Sequence, residues 1–126
     1  SVPGWLVSRV GRSRFLAKLF CFGFDCSPEI LDLFLDVLGR LPVRTVEERL
    51  EVIARLSSSA IEPLMNVPVA YLYPSVDKLV AESACDEIKN RLEPSFVRMI
   101  DGPHFLLQVK PVECWEAIHA FGASVF

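Results

Sequence analysis

The run VPVAYLY, residues 67–73, constrains the fold of this chain more than any other feature. It is β-branched and aromatic, apolar throughout, and bounded by Asn66 and Pro74. A strand with no polar alternation is typical of a parallel sheet that is covered on both faces. We therefore predict a buried strand here and an α/β fold.

The residues that follow complete a strand–helix–strand–helix unit. ACDEIKNRL (84–92) is amphipathic and predicts a helix, SFVRMI (95–100) predicts a second strand, and Pro111 begins a last helix. One face of that last helix should be buried, with Val112, Trp115, Ile118 and Phe121 on it. This βαβα order implies parallel strands. Since two strands do not make a stable sheet, we expect a larger sheet that is missing or supplied by another chain.

The first half of the chain predicts helices. Trp5 to Phe22 has approximate helical spacing, interrupted at Gly11. Ser27 and Pro28 form a helix start, with Ser27 as the N-cap. Thr45 is the expected N-cap of a further helix, with Glu48 completing a capping box and Ser57 near its end. The buried faces expected for these last two helices comprise Ile30, Leu31, Phe34, Leu35 and Leu38, and then Val46, Leu50, Ile53 and Ala54.

Composition limits the class of protein. The 126 residues suit one domain or a piece of one, and 52% of them are hydrophobic, which argues against disorder. The net charge of −3 and the lack of a basic stripe argue against nucleic-acid binding. No apolar run approaches the roughly 18 residues that span a bilayer. The four cysteines fit no common zinc spacing, so we expect no metal, free buried thiols, and a reducing, cytoplasmic location.

Two polar residues follow the two predicted strands. Asp77 lies in YPSVDKLV and His104 in DGPHFLL. Functional groups of open parallel sheets gather beyond the carboxyl ends of the strands, so neighbouring strands would bring these two loops together. The carboxylate could then accept the imidazole N–H and fix its tautomer. The plainer alternatives are a loop histidine and an acid at a helix N-terminus.

The second half of the chain resembles the C-terminal part of an α/β-hydrolase. The matching text is VPVAYLYPSVDKLV, a helix, and then SFVRMIDGPHFLLQVKPVECWEAIHAF. The resemblance implies that Asp77 is the triad acid and His104 the triad base, acting on a small ester or acyl substrate without a cofactor. It also implies two regions: a helical cap at residues 1–62 and the βαβα part of the hydrolase core at residues 63–126.

The sequence departs from that family at two places. Pro74 stands where the acid loop usually has glycine, so we expect a reshaped loop. No Gly-x-Ser-x-Gly elbow is present, and Gly122 and Ser124 lie at a helix end with no strand before them. Because the nucleophile precedes acid and base in this family, we expect a chain truncated at its N-terminus and inactive alone.

Two other interpretations stay open. A complementing chain could supply the elbow and the remaining strands. Alternatively, the basic, aromatic N-terminal helix could lie on an anionic membrane or contact a partner, which would make the chain a non-enzymatic module. Asp86 and Asp101 are the competing acids. His119 is expected to be structural, and Gln108 to pin the histidine loop.

Overall fold

The computed structural model describes residues 13–56 and 67–125. Residues 13–56 contain three helices: α1 (Arg14–Ala17), which continues as a π-helical turn (Lys18–Phe22), α2 (Pro28–Arg40) and α3 (Val43–Arg55). The order β1 (Ala70–Pro74), α4 (Glu82–Leu92), β2 (Phe96–Ile100), α5 (Leu106–Val109) and α6 (Pro111–Val125) then follows. The predictions made for Trp5, Gly11 and Ser57 lie outside the described residues.

The two strands pair in parallel, as the βαβα order predicts. The register places Ala70 opposite Phe96 and Pro74 opposite Ile100, so both strands end at the same edge. Together they make a two-stranded sheet, and every residue of β1 is half-buried rather than fully buried. The described chain is therefore a mixed helix–strand structure of the α/β kind.

In the part of the chain that the structure describes, two small hydrophobic clusters form the core, and the segment after β2 contributes to both. The first cluster, from α1 and α2, contains the buried Ala17, Cys21, Phe22, Cys26 and Leu31. The second, between the sheet and α6, contains Ile100, Leu106, Cys114 and Ala117. Phe105 packs against the first cluster while its neighbour Leu106 is buried in the second. All four cysteines are buried and free of disulfides, as expected from the sequence.

The start of α2 confirms the predicted cap. Ser27 Oγ accepts a hydrogen bond from the Ile30 N–H at 3.3 Å, and Pro28 occupies the first turn. The capping box predicted at Thr45 is wrong. The Pro42 carbonyl accepts from the Thr45 N–H at 2.9 Å, so the helix has already begun at Val43. Glu48 pairs with Arg44 instead.

Two predicted buried faces are exposed. No residue of α3 is buried, and Ile53 on its apolar face is 62% exposed. On α6, the small residues Cys114 and Ala117 contact the core, while Val112, Trp115 and Ile118 point outwards. Phe121 is half-buried, with its ring 5.9 Å from that of Phe96. Both segments are helices, as predicted, but the face predicted for α6 is wrong, because Cys114 and Ala117 are buried in its place.

None of the described helices combines the length and apolar character that crossing a membrane would need.

The aromatic side chains of the first cluster should govern stability. Phe22 is 2% exposed, and its ring stacks on Phe105 with centroids 4.7 Å apart. We expect Phe22→Ala to lower the free energy of unfolding by about 3 kcal/mol. Trp115→Ala, at a side chain that is 65% exposed, should change it by less than about 0.5 kcal/mol. Urea titration measures both, and equal losses would contradict this account of the core.

Candidate active site

Hydrogen bonds continue the β1–β2 pairing into the two loops that follow the strands. The Ser75 N–H donates to the Ile100 carbonyl at 3.0 Å, and the Val76 N–H donates to the Gly102 carbonyl at 3.1 Å. The Ser75 hydroxyl donates to Asp101 Oδ1 at 2.7 Å and accepts from the Gly102 N–H at 3.3 Å. The loops are therefore joined over their first residues.

Beyond this joined stretch, Asp77 contacts His104. Asp77 Oδ2 lies 2.9 Å from His104 Nδ1, although the residues are 27 positions apart in the chain. Asp77 Oδ1 accepts the N–H groups of Leu79 at 2.8 Å and Val80 at 2.9 Å. Both carboxylate oxygens are thus engaged, and the side chain is 12% exposed. The carboxylate is held in one orientation, towards the imidazole.

The loop with Pro74 reaches this geometry without unusual backbone. Pro74 is the last residue of β1 and stays in register with Ile100. Among the described non-glycine residues, Glu93 alone has a positive φ. The acid loop therefore turns without the left-handed residue that glycine would supply, and Asp77 still reaches His104.

Packing on both sides fixes the histidine loop. The Phe105 N–H donates to the Cys21 carbonyl at 2.9 Å. The Phe105 ring stacks on Phe22 and packs edge-on against Phe34. Gly102 allows a close approach, since a Cβ there would lie 2.9 Å from Leu106 Cδ1. The His104 ring meets Phe105 edge-on, with centroids 5.2 Å apart. The imidazole is therefore oriented by its chain neighbours as well as by Asp77.

The protonation of the pair follows from its contacts. Burial by itself would raise the pKa of Asp77. The hydrogen bonds from Val80, His104 and Leu79, together with the charge of a protonated His104, outweigh burial and hold that pKa below its ordinary value. Asp77 is thus a carboxylate at neutral pH and accepts the Nδ1–H of His104. In neutral His104 this leaves Nε2 as the ring nitrogen with a free lone pair.

Nε2 is free to act within the described chain. No hydrogen bond joins it to another residue of ranges 13–56 and 67–125. The His104 side chain is 30% exposed and borders an open groove of about 530 Å³. That groove is mainly apolar, with Leu72, Leu106, Leu107, Cys114 and Ile118 on its walls. The arrangement can remove a proton from a group placed beside an apolar surface.

The thiol of Cys21, which is close to Asp77, is unsuited to the role of a nucleophile. Burial, aided by the negative charge of Asp77, raises the pKa of Cys21 to about 11, so its thiol stays protonated at neutral pH. Cys21 is also 4% exposed. It is a core residue whose carbonyl anchors the histidine loop.

Several serine hydroxyls are committed to structural hydrogen bonds. Ser13 and Ser27 cap helices, and Ser124 donates to the Phe121 carbonyl at 2.7 Å. Ser75 joins the two loops, as described above. None of these four hydroxyls is presented to His104 as an attacking group.

The competing residues lie elsewhere. Asp86 pairs with Lys89 on α4 and is 62% exposed, and Asp101 accepts the Ser75 hydroxyl. His119 and Gln108 are exposed. The Gln108 backbone N–H donates to the Phe105 carbonyl at 3.2 Å, whereas its side chain makes no contact of this kind in the described ranges, and Ser75 and Phe105 hold the loop instead. Neither was identified from the sequence, because their contacts depend on the strand register and on the packing of α1.

Comparison with known proteins identifies no relative. No protein-family model, no curated protein and no solved structure matches this chain. Within the described ranges, no group of three or more His, Cys, Asp or Glu side chains could hold a metal ion. Any function must therefore be argued from the Asp77–His104 pair itself.

The dependence of the free energy of unfolding on acidic pH should reflect the ionisation of Asp77. Since the folded state lowers its pKa, the ionised carboxylate contributes stability that is complete above the unfolded pKa of about 3.9 and is lost as the pH falls through the folded pKa. We expect the free energy of unfolding to fall more steeply below about pH 4 in the wild type than in Asp77→Asn. Urea titrations across this range test it, and parallel curves would contradict the contact.

Proposed function

We propose that this chain carries the acid and base of a serine-hydrolase-type active site that cleaves an ester or similar acyl bond. The observation that carries the proposal is the 2.9 Å contact between His104 Nδ1 and a largely buried Asp77 whose other oxygen is held by two backbone N–H groups. An imidazole oriented in this way is suited to general acid–base catalysis near neutral pH. The resemblance to α/β-hydrolases assigns the same two residues to the same two roles.

In the proposed reaction, His104 Nε2 takes the proton of a serine hydroxyl as its oxygen attacks the acyl carbonyl carbon. The resulting imidazolium then donates that proton to the leaving group. Asp77 accepts the Nδ1–H throughout, which keeps Nε2 unprotonated before the attack and stabilises the cation afterwards. The apolar groove beside His104 would hold the acyl portion of the substrate.

We further propose that the attacking serine comes from a segment outside these 126 residues or from a complementing chain. No Gly-x-Ser-x-Gly elbow occurs in the sequence, and the serines described above are engaged in structural hydrogen bonds. The same added segment could extend the sheet at the edge of β1, since two parallel strands are not a stable sheet alone.

The alternative of a membrane-surface or interaction module has less support. The described part of the N-terminal helix places Ala17, Cys21 and Phe22 in the first core cluster. Arg14 pairs with Asp32 of α2. This stretch therefore uses its apolar face for the fold, and one of its basic residues for an internal ion pair.

Hydrolysis of p-nitrophenyl butyrate tests the proposed function. The isolated chain should show no turnover, whereas the product of the coding sequence extended upstream of Ser1 should hydrolyse the ester. In that product, His104→Ala should lower kcat at least about a thousandfold. His119→Ala is the matched control, since His119 lies exposed on α6, and should leave kcat unchanged.

Two outcomes would reject the proposal. If the extended product still hydrolyses the ester after His104→Ala, His104 is not the base. Turnover by the isolated chain that His104→Ala abolishes would show that the nucleophile lies within these 126 residues.

A further inference from the structure

A second cavity, of about 290 Å³, lies beside the same two loops. It shares no lining residue with the groove at His104. The proposed hydrolysis does not use this cavity. Its walls carry both charged and apolar side chains, which indicates a ligand with a charged group and an apolar body.

Three lysines from three separate segments line this cavity. Lys18 belongs to the π-helical turn, Lys78 follows the acid loop, and Lys110 lies between α5 and α6. Within the described ranges, Lys18 and Lys78 form no ion pair, and Lys110 Nζ is 3.8 Å from Glu113, which is a long contact. Three lysine side chains therefore line one cavity.

Two carboxylates also line the cavity, so the local charge has to be counted. They are Asp25 and Asp101. Asp101 already accepts the Ser75 hydroxyl, which directs one of its oxygens towards the loop junction. Among the lining side chains, three cations stand against two anions, and Glu113 lies outside the lining, 3.8 Å from Lys110 Nζ. The lining is thus richer in lysine than a protein of net charge −3 is as a whole.

The backbone around each lysine is held in place. The Lys18 carbonyl accepts the Gly23 N–H at 2.8 Å, which closes the π-helical turn. Such turns are rare and occur frequently at functional sites. Asp77 Oδ1 holds the two N–H groups that follow Lys78, and the Lys110 N–H donates to the Leu106 carbonyl at 2.7 Å. The backbone at each of the three lysines is therefore already ordered before a ligand binds.

The remaining wall is apolar. It includes Phe20, Phe24, Pro103 and Val109. Phe24 is 58% exposed, so a ligand could cover apolar surface that now faces solvent. A volume near the lower end of the roughly 300–1,000 Å³ typical of ligand pockets suits a small molecule.

We propose that this cavity binds a small organic carboxylate with an aromatic or aliphatic body. The carboxylate would be held by Lys18, Lys78 and Lys110, and the body would lie against the phenylalanines. A cation is disfavoured by the three lysines of the lining, and an inorganic anion would leave the apolar wall uncovered. This site does not depend on the proposed hydrolase function.

Isothermal titration of the whole chain with sodium phenylacetate at low ionic strength tests this proposal. We expect one site per chain and at least about tenfold weaker binding of inorganic phosphate. Changing all three lysines together (K18Q, K78Q and K110Q) should weaken phenylacetate binding at least about tenfold. The matched control (R44Q, R49Q and R55Q) removes the same charge from the exposed face of α3 and should bind as the wild type does.

Three results would overturn the proposal. They are no measurable binding of phenylacetate to the wild type, equal weakening by the triple lysine variant and its arginine control, and phosphate binding as tight as that of phenylacetate. Circular dichroism checks that the triple lysine variant is folded. If it is not, Lys78→Gln alone replaces it, because Lys78 is exposed, and that variant should weaken binding about threefold. An unchanged affinity in Lys78→Gln would likewise count against the site.

Discussion

The parallel pairing of β1 with β2 is the interaction on which the rest of the site depends. It ends both strands at one edge, with Pro74 opposite Ile100, and its hydrogen bonds continue through Ser75 into the following loops. A shift of one residue in this register would turn every side chain of the shifted strand to the opposite face. Asp77 and His104 would then no longer meet. A local backbone register thus determines a contact between residues 27 positions apart.

The histidine loop has a second support in the first half of the chain. The Phe105 ring packs against Phe22 and Phe34, and its N–H donates to the Cys21 carbonyl. The next residue, Leu106, is buried against α6. The two core clusters therefore meet at the residues that directly follow His104. This explains how a small sheet can hold the Asp77–His104 contact: the loop is fixed by the helices as well as by the strands. It also couples the stability of α1 to the site.

The sequence predicted the parts of the fold that depend on local chemistry or on strand order. Ser27 and Pro28 indicated a helix start, and the order of strands and helices placed Asp77 and His104 at the same edge. Periodicity also showed that residues 111–125 are helical, but it indicated the wrong face, since the small Cys114 and Ala117 are buried rather than Trp115. On α3 it could not show whether anything covers the apolar face, and Ile53 is exposed. The roles of Ser75 and Phe105 could not be predicted either, since both depend on contacts between distant segments.

The site depends on Asp77 accepting the Nδ1–H of His104 and leaving Nε2 as the basic nitrogen. Long-range ¹H–¹⁵N correlation spectra of the histidine rings measure this directly. For neutral His104, we expect a protonated Nδ1 and an unprotonated Nε2. Asp77→Asn should abolish this tautomer preference of His104 and leave the spectrum of His119 unchanged. A His104 ring that carries its proton on Nε2, or whose spectrum is unaffected by Asp77→Asn, would contradict it.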